Sequence, residues 1–156
     1  IRLDRVCSVP AGTPILNCPD PNYKKNYWYG TVSNDWANTD NWTASFVPTL
    51  GEDIEFATEV NNGTLGNGNG KGAAVRDLYL DTDRTIGSLI NNSDVNMVVT
   101  TGNQLTINGN IQDSNPDSGT IVVKSAMDKA TGTLLFADPS ANTSVNATVE
   151  FYNKAY

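Results

Sequence analysis

Short segments in which apolar and polar residues alternate follow one another along the chain, and such alternation is typical of half-buried β-strands. Ile54 and Phe56 flank Glu55 in one of these segments, and Leu105 and Ile107 flank a threonine in another. Asn, Gly and Asp residues separate the segments, as expected for turns. The predicted strands are 54–56, 78–80, 86–90, 95–100, 105–111, 120–124, 133–136 and 145–152.

A helix has little room in this sequence. The longest stretch without Gly, Pro or Asn runs from Ala73 to Ile86, so one helix over this stretch is an alternative. Leu78 and Leu80 flank Tyr79 there, however, and this alternation favours a strand. The sequence therefore predicts an all-β fold.

The spacing of the strands suits two all-β architectures. The segments are short and similar to one another. In the second half of the chain, only Asn108-Gly109 offers the two-residue turn of a tight antiparallel hairpin. Both features favour a parallel β-helix, a solenoid of stacked coils with an aromatic cap at its N-terminal end. An antiparallel β-sandwich is the alternative. Because the last coil of a solenoid has an open edge, we expect further coils beyond residue 156.

The chain divides into three regions by composition. Residues 1–26 hold both cysteines and show little periodicity, which predicts an irregular N-terminal segment. Residues 27–72 contain the three tryptophans and end in a Gly/Asn-rich loop, so they are assigned to the cap and the first strands. Residues 73–156 show short predicted strands separated by Asn, Gly and Asp turns throughout, and they are the predicted solenoid rungs. A disulfide between Cys7 and Cys18 would contribute roughly 3 kcal/mol in an oxidising compartment, and two free thiols are the alternative.

Charge and residue usage exclude several functional classes. The chain has no histidine, which rules out a Ser-His-Asp triad and imidazole-ligated zinc. A net charge of −7 with only 10 basic residues argues against nucleic-acid binding. No apolar run is long enough to insert into a membrane. The 17 acidic residues single out no pair with the geometry of a glycosidase, so we expect no catalytic residue and no enzymatic activity.

One aromatic run has two interpretations. Tyr27, Trp28 and Tyr29 could stack on sugar rings, whereas large aromatic side chains more often fill a core. Tyr27 and Tyr29 alternate around Trp28 and would be the exposed pair in a glycan contact.

A second short run could hold a cation. Asp113, Asn115 and Asp117 place oxygen ligands at every second position, as calcium loops do. The glycine and the last acidic ligand of a helix-loop-helix calcium site are out of place, however. A turn is therefore the better interpretation, calcium is a weak alternative, and we expect no other metal or cofactor.

Five segments resemble a known group of proteins. Residues 36–43 (WANTDNWT) and 47–56 (VPTLGEDIEF) resemble the W…NW…VP…GD signature that opens parallel β-helical regions in many large bacterial surface proteins. Residues 105–109 (LTING) and 132–136 (GTLLF) resemble rungs of such regions. Residues 146–152 (NATVEFY) resemble the closing strand, which is frequent in proteins of the type IX secretion pathway, although Phe151 stands where that pattern has Arg.

The resemblance implies an extracellular, cell-surface or secreted protein of adhesin-like or scaffold character. The chain would then be a non-enzymatic structural or adhesive module whose partner is the rest of a larger polypeptide or a surface complex, with glycans as a further candidate. A glycan-binding β-sandwich of a secreted polysaccharide-degrading enzyme is the alternative. The residues expected to build the cap are Trp36, Asn41, Trp42, Pro48 and Gly51.

Overall fold

A computed structural model describes residues 27–43, 47–58, 73–112, 121–142 and 145–153. Within these ranges the chain forms short β-strands and two single turns of 3-10 helix, at Thr39–Asn41 and Pro139–Ala141. This confirms the predicted all-β class, and the stretch 73–86 forms strands rather than a helix. The strands are β1 (Tyr27–Trp28), β2 (Ile54–Phe56), β3 (Leu78–Tyr79), β4 (Arg84–Ile86), β5 (Leu89–Ile90), β6 (Met97–Val99), β7 (Gln104–Ile107), β8 (Ile111–Gln112), β9 (Ile121–Val123), β10 (Thr133–Phe136) and β11 (Ala147–Val149).

The strands assemble into three sheets. Sheet 1 has the order β1-β2-β5-β8, sheet 2 the order β3-β6-β9-β11, and sheet 3 the order β4-β7-β10. Every neighbouring pair within these sheets is parallel. From β3 onward the chain visits sheets 2, 3 and 1 in turn, repeats that order, and then returns to sheets 2, 3 and 2. Parallel neighbours cannot be joined by a tight hairpin, and from β3 onward each connection leads into another sheet.

Apolar side chains of successive strands lie in register and form the core. In sheet 2, Leu78 pairs with Met97, and Met97 pairs with Ile121. In sheet 3, Ile86 pairs with Ile107. All five side chains are at most 2% exposed and belong to one cluster that all three sheets share. Stacking like residues at the same position of successive strands therefore buries apolar area from each of them.

The predictions of continuous strands at 86–90 and 105–111 were wrong, because glycine corners divide them. Gly87 lies between β4 and β5, where a Cβ atom would come within 2.7 Å of the Gly51 carbonyl oxygen. Asn108-Gly109 lies between β7 and β8, which belong to different sheets, so this dipeptide is a corner and not a hairpin turn. The close approach of neighbouring backbones requires glycine at these corners.

Ile107→Ala is expected to lower the free energy of unfolding by about 3 kcal/mol, because it leaves a cavity in the shared core. Ile107 is fully buried. The matched control is Leu135→Ala in the neighbouring strand β10, where the leucine is 44% exposed. Urea unfolding of both variants measures the difference, and equal losses for the two would contradict the assignment of the core.

Candidate functional site at the indole cluster

The three tryptophans pack together at the β1 end of the molecule. Trp28, Trp36 and Trp42 are each at most 1% exposed. Trp42 lies between the other two, with both ring-centroid distances at 5.1 Å and interplanar angles of 67° to Trp28 and 66° to Trp36. These are edge-to-face contacts, the arrangement that the charge distribution of aromatic rings favours. We call this set of three residues the indole cluster.

Two of the three indole N–H groups have backbone partners. Trp42 Nε1 donates to the Trp36 carbonyl oxygen at 2.9 Å, and Trp28 Nε1 donates to the Arg76 carbonyl oxygen at 2.8 Å. Trp36 Nε1 is buried and has no hydrogen-bond partner among the described residues. The guanidinium carbon of Arg84 lies 5.1 Å from the centroid of the Trp36 ring, so a cation–π contact covers this outer indole.

Asn41 organises the backbone around the indole cluster. Its side-chain oxygen accepts hydrogen bonds from the backbone N–H groups of Val32 (2.9 Å) and Ser33 (3.0 Å). Its Nδ2 donates to Ser33 Oγ and to the Asp35 carbonyl oxygen, both at 3.0 Å. Asn41 is fully buried, and because its side chain makes four hydrogen bonds, its burial leaves no unpaired amide.

The backbone near the indole cluster covers the edges of two sheets. The Asn34 carbonyl oxygen accepts a bond of 2.8 Å from Tyr79 N, beside β3 of sheet 2. Gly51 N donates to the Thr85 carbonyl oxygen at 3.0 Å, beside β4 of sheet 3. Gly51 has φ +82°, which favours glycine, and Pro48 nearby is buried. These contacts are those that a cap requires. The cap role of the five predicted residues stays a prediction.

Tyr27 and Tyr29 do not form the exposed pair that a glycan contact would need, and the alternative interpretation as core residues fits their burial. Tyr27 is 6% exposed and Tyr29 is 3% exposed, and both belong to a second buried cluster with Ala57. Trp28, between them, packs into the main core instead. Alternation placed the tyrosines on the face opposite to Trp28, but parallel sheets are commonly covered on both faces. None of the three rings therefore offers the exposed face that stacking on a sugar needs.

The opposite end of the sheets is more exposed. All three residues of β11 are exposed, and Phe151 just after it is 87% exposed. At this end of sheet 1, the side chain of Asn142 forms hydrogen bonds with the backbone near the edge strand β8, where a further strand would otherwise pair. Its oxygen accepts from Ile111 N at 2.8 Å, and its Nδ2 donates to the Gly109 carbonyl oxygen at 3.1 Å.

Asn142→Ala is expected to speed amide hydrogen exchange at Ile111, because the Ile111 N–H loses its acceptor. The loss in global stability should be only about 1 kcal/mol, since water can reach this half-buried edge. Asn142→Asp keeps an oxygen acceptor and should retain most of the protection. Unchanged exchange at Ile111 in the alanine variant would refute the assigned contact.

Asp138 caps the 3-10 turn at Pro139–Ala141. The hydroxyl and the backbone N–H of Ser140 both donate to its carboxylate, and these bonds lower the pKa of Asp138 below its ordinary 3.8. Because the folded-state pKa is lowered, the stabilisation by this cap is present above about pH 4 and is lost as the pH falls through the lower folded-state value. Ser140→Ala should raise the pKa of Asp138 in a carboxyl-carbon NMR titration. A wild-type pKa at or above the ordinary value would contradict this account.

Several predicted sites lie outside the described residues: the cysteine pair Cys7 and Cys18, and the weak calcium candidates Asp113, Asn115 and Asp117. Within the described ranges, no group of three or more His, Cys, Asp or Glu residues is placed to hold a metal ion. None of the helical turns in those ranges has the length and apolar character that crossing a bilayer requires.

Sequence reasoning missed the roles of Asn142 and Arg84. Asn142 belongs to an N-x-S/T sequon, and nothing in that pattern indicates an amide that bonds to a sheet edge. Arg84 lies in register with Leu105, at a position that is apolar in the next strand. That register is known only from the structure, so no sequence pattern indicated a cation over the Trp36 ring.

Comparison with known proteins gives one informative match. The chain is similar to the Minor fimbrium subunit Mfa5 of Porphyromonas gingivalis. The two sequences are 52% identical over 169 aligned positions, which cover 97% of this chain and 13% of the relative. The chain therefore spans about an eighth of the length of that protein. No family model matches the chain, and no solved structure matches it.

Proposed function

We propose that the chain is a non-enzymatic structural module of a larger bacterial cell-surface protein of the fimbrium-subunit kind. The observation that carries this proposal is the 52% identity to Mfa5 across 97% of the chain. The match extends through the indole cluster, the corners and the stacked strands, so it supports a shared module rather than a shared motif. The partners would be the rest of the polypeptide and the surface assembly that contains it.

We further propose that the three sheets are the sides of a parallel β-solenoid whose N-terminal end is capped by the indole cluster. The repeated visits to sheets 2, 3 and 1 support this arrangement, as do the residues that stack in register. In a solenoid each coil contacts only its neighbours, which gives a stiff, extended module suited to display at a surface.

The alternative of a glycan-binding β-sandwich has weaker support. The sheets contain parallel pairs, and the three aromatic residues assigned to that function are buried. Export by the type IX pathway rests on the resemblance of residues 146–152 to its closing strand, and we retain it as part of the proposal.

The test uses the full-length protein in the cells that make it. An antibody raised against the folded 156-residue chain should label intact cells, and protease added outside should remove the signal. Trp42→Ala should reduce incorporation into the surface assembly, whereas Leu50→Ala should not, because Leu50 is 82% exposed. Labelling only after the cells are broken open would reject the proposal.

A further inference from the structure

An open groove lies where the segment before the indole cluster meets sheet 2. Asp35 forms a parallel bridge with Tyr79 of β3, so residues 34 and 35 run beside this strand. The groove has a volume of about 330 Å³. We call it the Tyr79 groove. It is lined mainly by Asn34, Asp35, Tyr79, Leu80, Asp81 and Thr100.

Tyr79 gives the groove an accessible aromatic surface. Its neighbours Leu78 and Leu80 are 0% and 2% exposed, whereas Tyr79 is 41% exposed. Within the described part of the chain its hydroxyl has no hydrogen-bond partner. Tyr152 differs in this respect, because its hydroxyl donates to Met127 Sδ at 3.2 Å. Tyr79 therefore keeps both a ring face and a polar group for a ligand.

The rim of the groove supplies hydrogen-bond acceptors. Asp35 Oδ1 accepts from the Ala37 N–H at 3.0 Å, and in the described ranges Asp35 makes no ion pair. Asn34 donates through Nδ2 to the Asp77 carbonyl oxygen at 2.9 Å, and its side-chain oxygen takes no part in that bond. The Asp35 carboxylate and the Asn34 amide thus belong to residues that line the same groove as the Tyr79 ring.

We infer that the Tyr79 groove binds one ring of a neutral carbohydrate. The C–H face of a sugar ring would stack on Tyr79, and its hydroxyl groups would donate to Asp35 and Asn34. The volume falls at the small end of ligand pockets, which run from about 300 Å³ upward. Asp35 and the net charge of −7 disfavour an acidic sugar.

A cationic ligand is the less favoured occupant. The other acid of the rim, Asp81, is neutralised by Arg84, whose Nη2 lies 2.6 Å from Asp81 Oδ1 and 2.8 Å from Oδ2. The charge of Asp81 is therefore compensated and attracts a cationic ligand only weakly. The inference does not depend on the proposed surface location, because it rests on the groove alone.

The experiment is an NMR titration of the isotope-labelled chain with glucose, galactose, mannose, N-acetylglucosamine, glucuronate and free arginine. At least one neutral sugar should shift the amide signals of Asn34, Asp35 and Leu80. Tyr79→Ala should weaken that binding about tenfold, as expected for loss of one aromatic contact. Tyr79→Phe should retain most of the affinity. The control Tyr152→Ala removes a tyrosine that is 51% exposed elsewhere and should leave the affinity unchanged.

Asp35→Asn is a second variant in case Tyr79→Ala fails to fold. It keeps an oxygen for the Ala37 N–H and removes the charge, so it should weaken sugar binding in a folded protein. The inference is overturned if no neutral sugar shifts the groove signals, if arginine binds in their place, or if both variants bind like the wild type. None of these results would change the antibody labelling of intact cells, which tests the proposed function. A failure of the groove proposal is therefore distinguishable from a failure of the proposed function.

Discussion

Replacing Trp42 with alanine is expected to lower the free energy of unfolding by about 4 kcal/mol. Trp42 is fully buried and makes edge contacts with both other indoles at 5.1 Å. The substitution removes the central ring of the cluster and leaves a cavity that two rigid indoles cannot fill. Urea unfolding followed by circular dichroism measures the loss, which should match that of a core residue.

A pair of phenylalanine variants separates the hydrogen bond from the packing. Trp42→Phe loses the bond from Nε1 to the Trp36 carbonyl oxygen, whereas Trp36→Phe removes an Nε1 for which the described part of the chain offers no partner. Trp42→Phe should therefore cost about 1 kcal/mol more than Trp36→Phe. The proposed packing would be wrong if Trp42→Ala cost less than about 1 kcal/mol, the typical loss for an average substitution.

Asn41→Ala should lower the free energy of unfolding by about 3 kcal/mol or more. The variant removes four part-buried side-chain hydrogen bonds and leaves the backbone N–H groups of Val32 and Ser33 and the Asp35 carbonyl oxygen without these partners. Asn41→Asp should not rescue the loss, since it keeps the acceptor but buries a charge and cannot donate to the Asp35 carbonyl oxygen. Thermal and urea unfolding of both variants measure the effect.

Asn38→Ala is the matched control. Asn38 is a half-buried asparagine that caps the 3-10 turn Thr39–Asn41, to which Asn41 belongs. Its side-chain oxygen accepts one hydrogen bond of 3.1 Å from Asp40 N. Its loss should cost about 1 kcal/mol, as for other N-caps. Equal losses at Asn38 and Asn41 would show that burial of the Asn41 amide contributes nothing beyond local capping.

Alternation predicted most strands because it reports directly which side chains can share a face. Leu105 and Ile107 are both fully buried and stand in β7 as expected. The corner at Gly87 was missed because the apolar run around it reads as one strand. The strand ends just before Gly87, and the backbone of Gly51 lies close to that glycine. A local sequence pattern does not report such a contact between distant segments.

Burial was predicted less well than strand position. Tyr27 and Val149 both occupy alternating segments, yet Tyr27 is 6% exposed and Val149 is 46% exposed. Exposure depends on what packs against each sheet face, and alternation contains no information about that neighbour. Asn41 was predicted only as a residue of the cap, because its hydrogen-bond partners at Val32 and Asp35 depend on a chain path that sequence spacing does not specify.

The most direct test of the parallel arrangement is a set of backbone NOEs between β7 and β10. The parallel arrangement predicts NOEs that place Gln104 beside Thr133 and Ile107 beside Phe136. An antiparallel arrangement would reverse these pairs, with Gln104 beside Phe136 and Ile107 beside Thr133. Observation of the reversed pairs would contradict the stacked parallel sheets and the solenoid proposed from them.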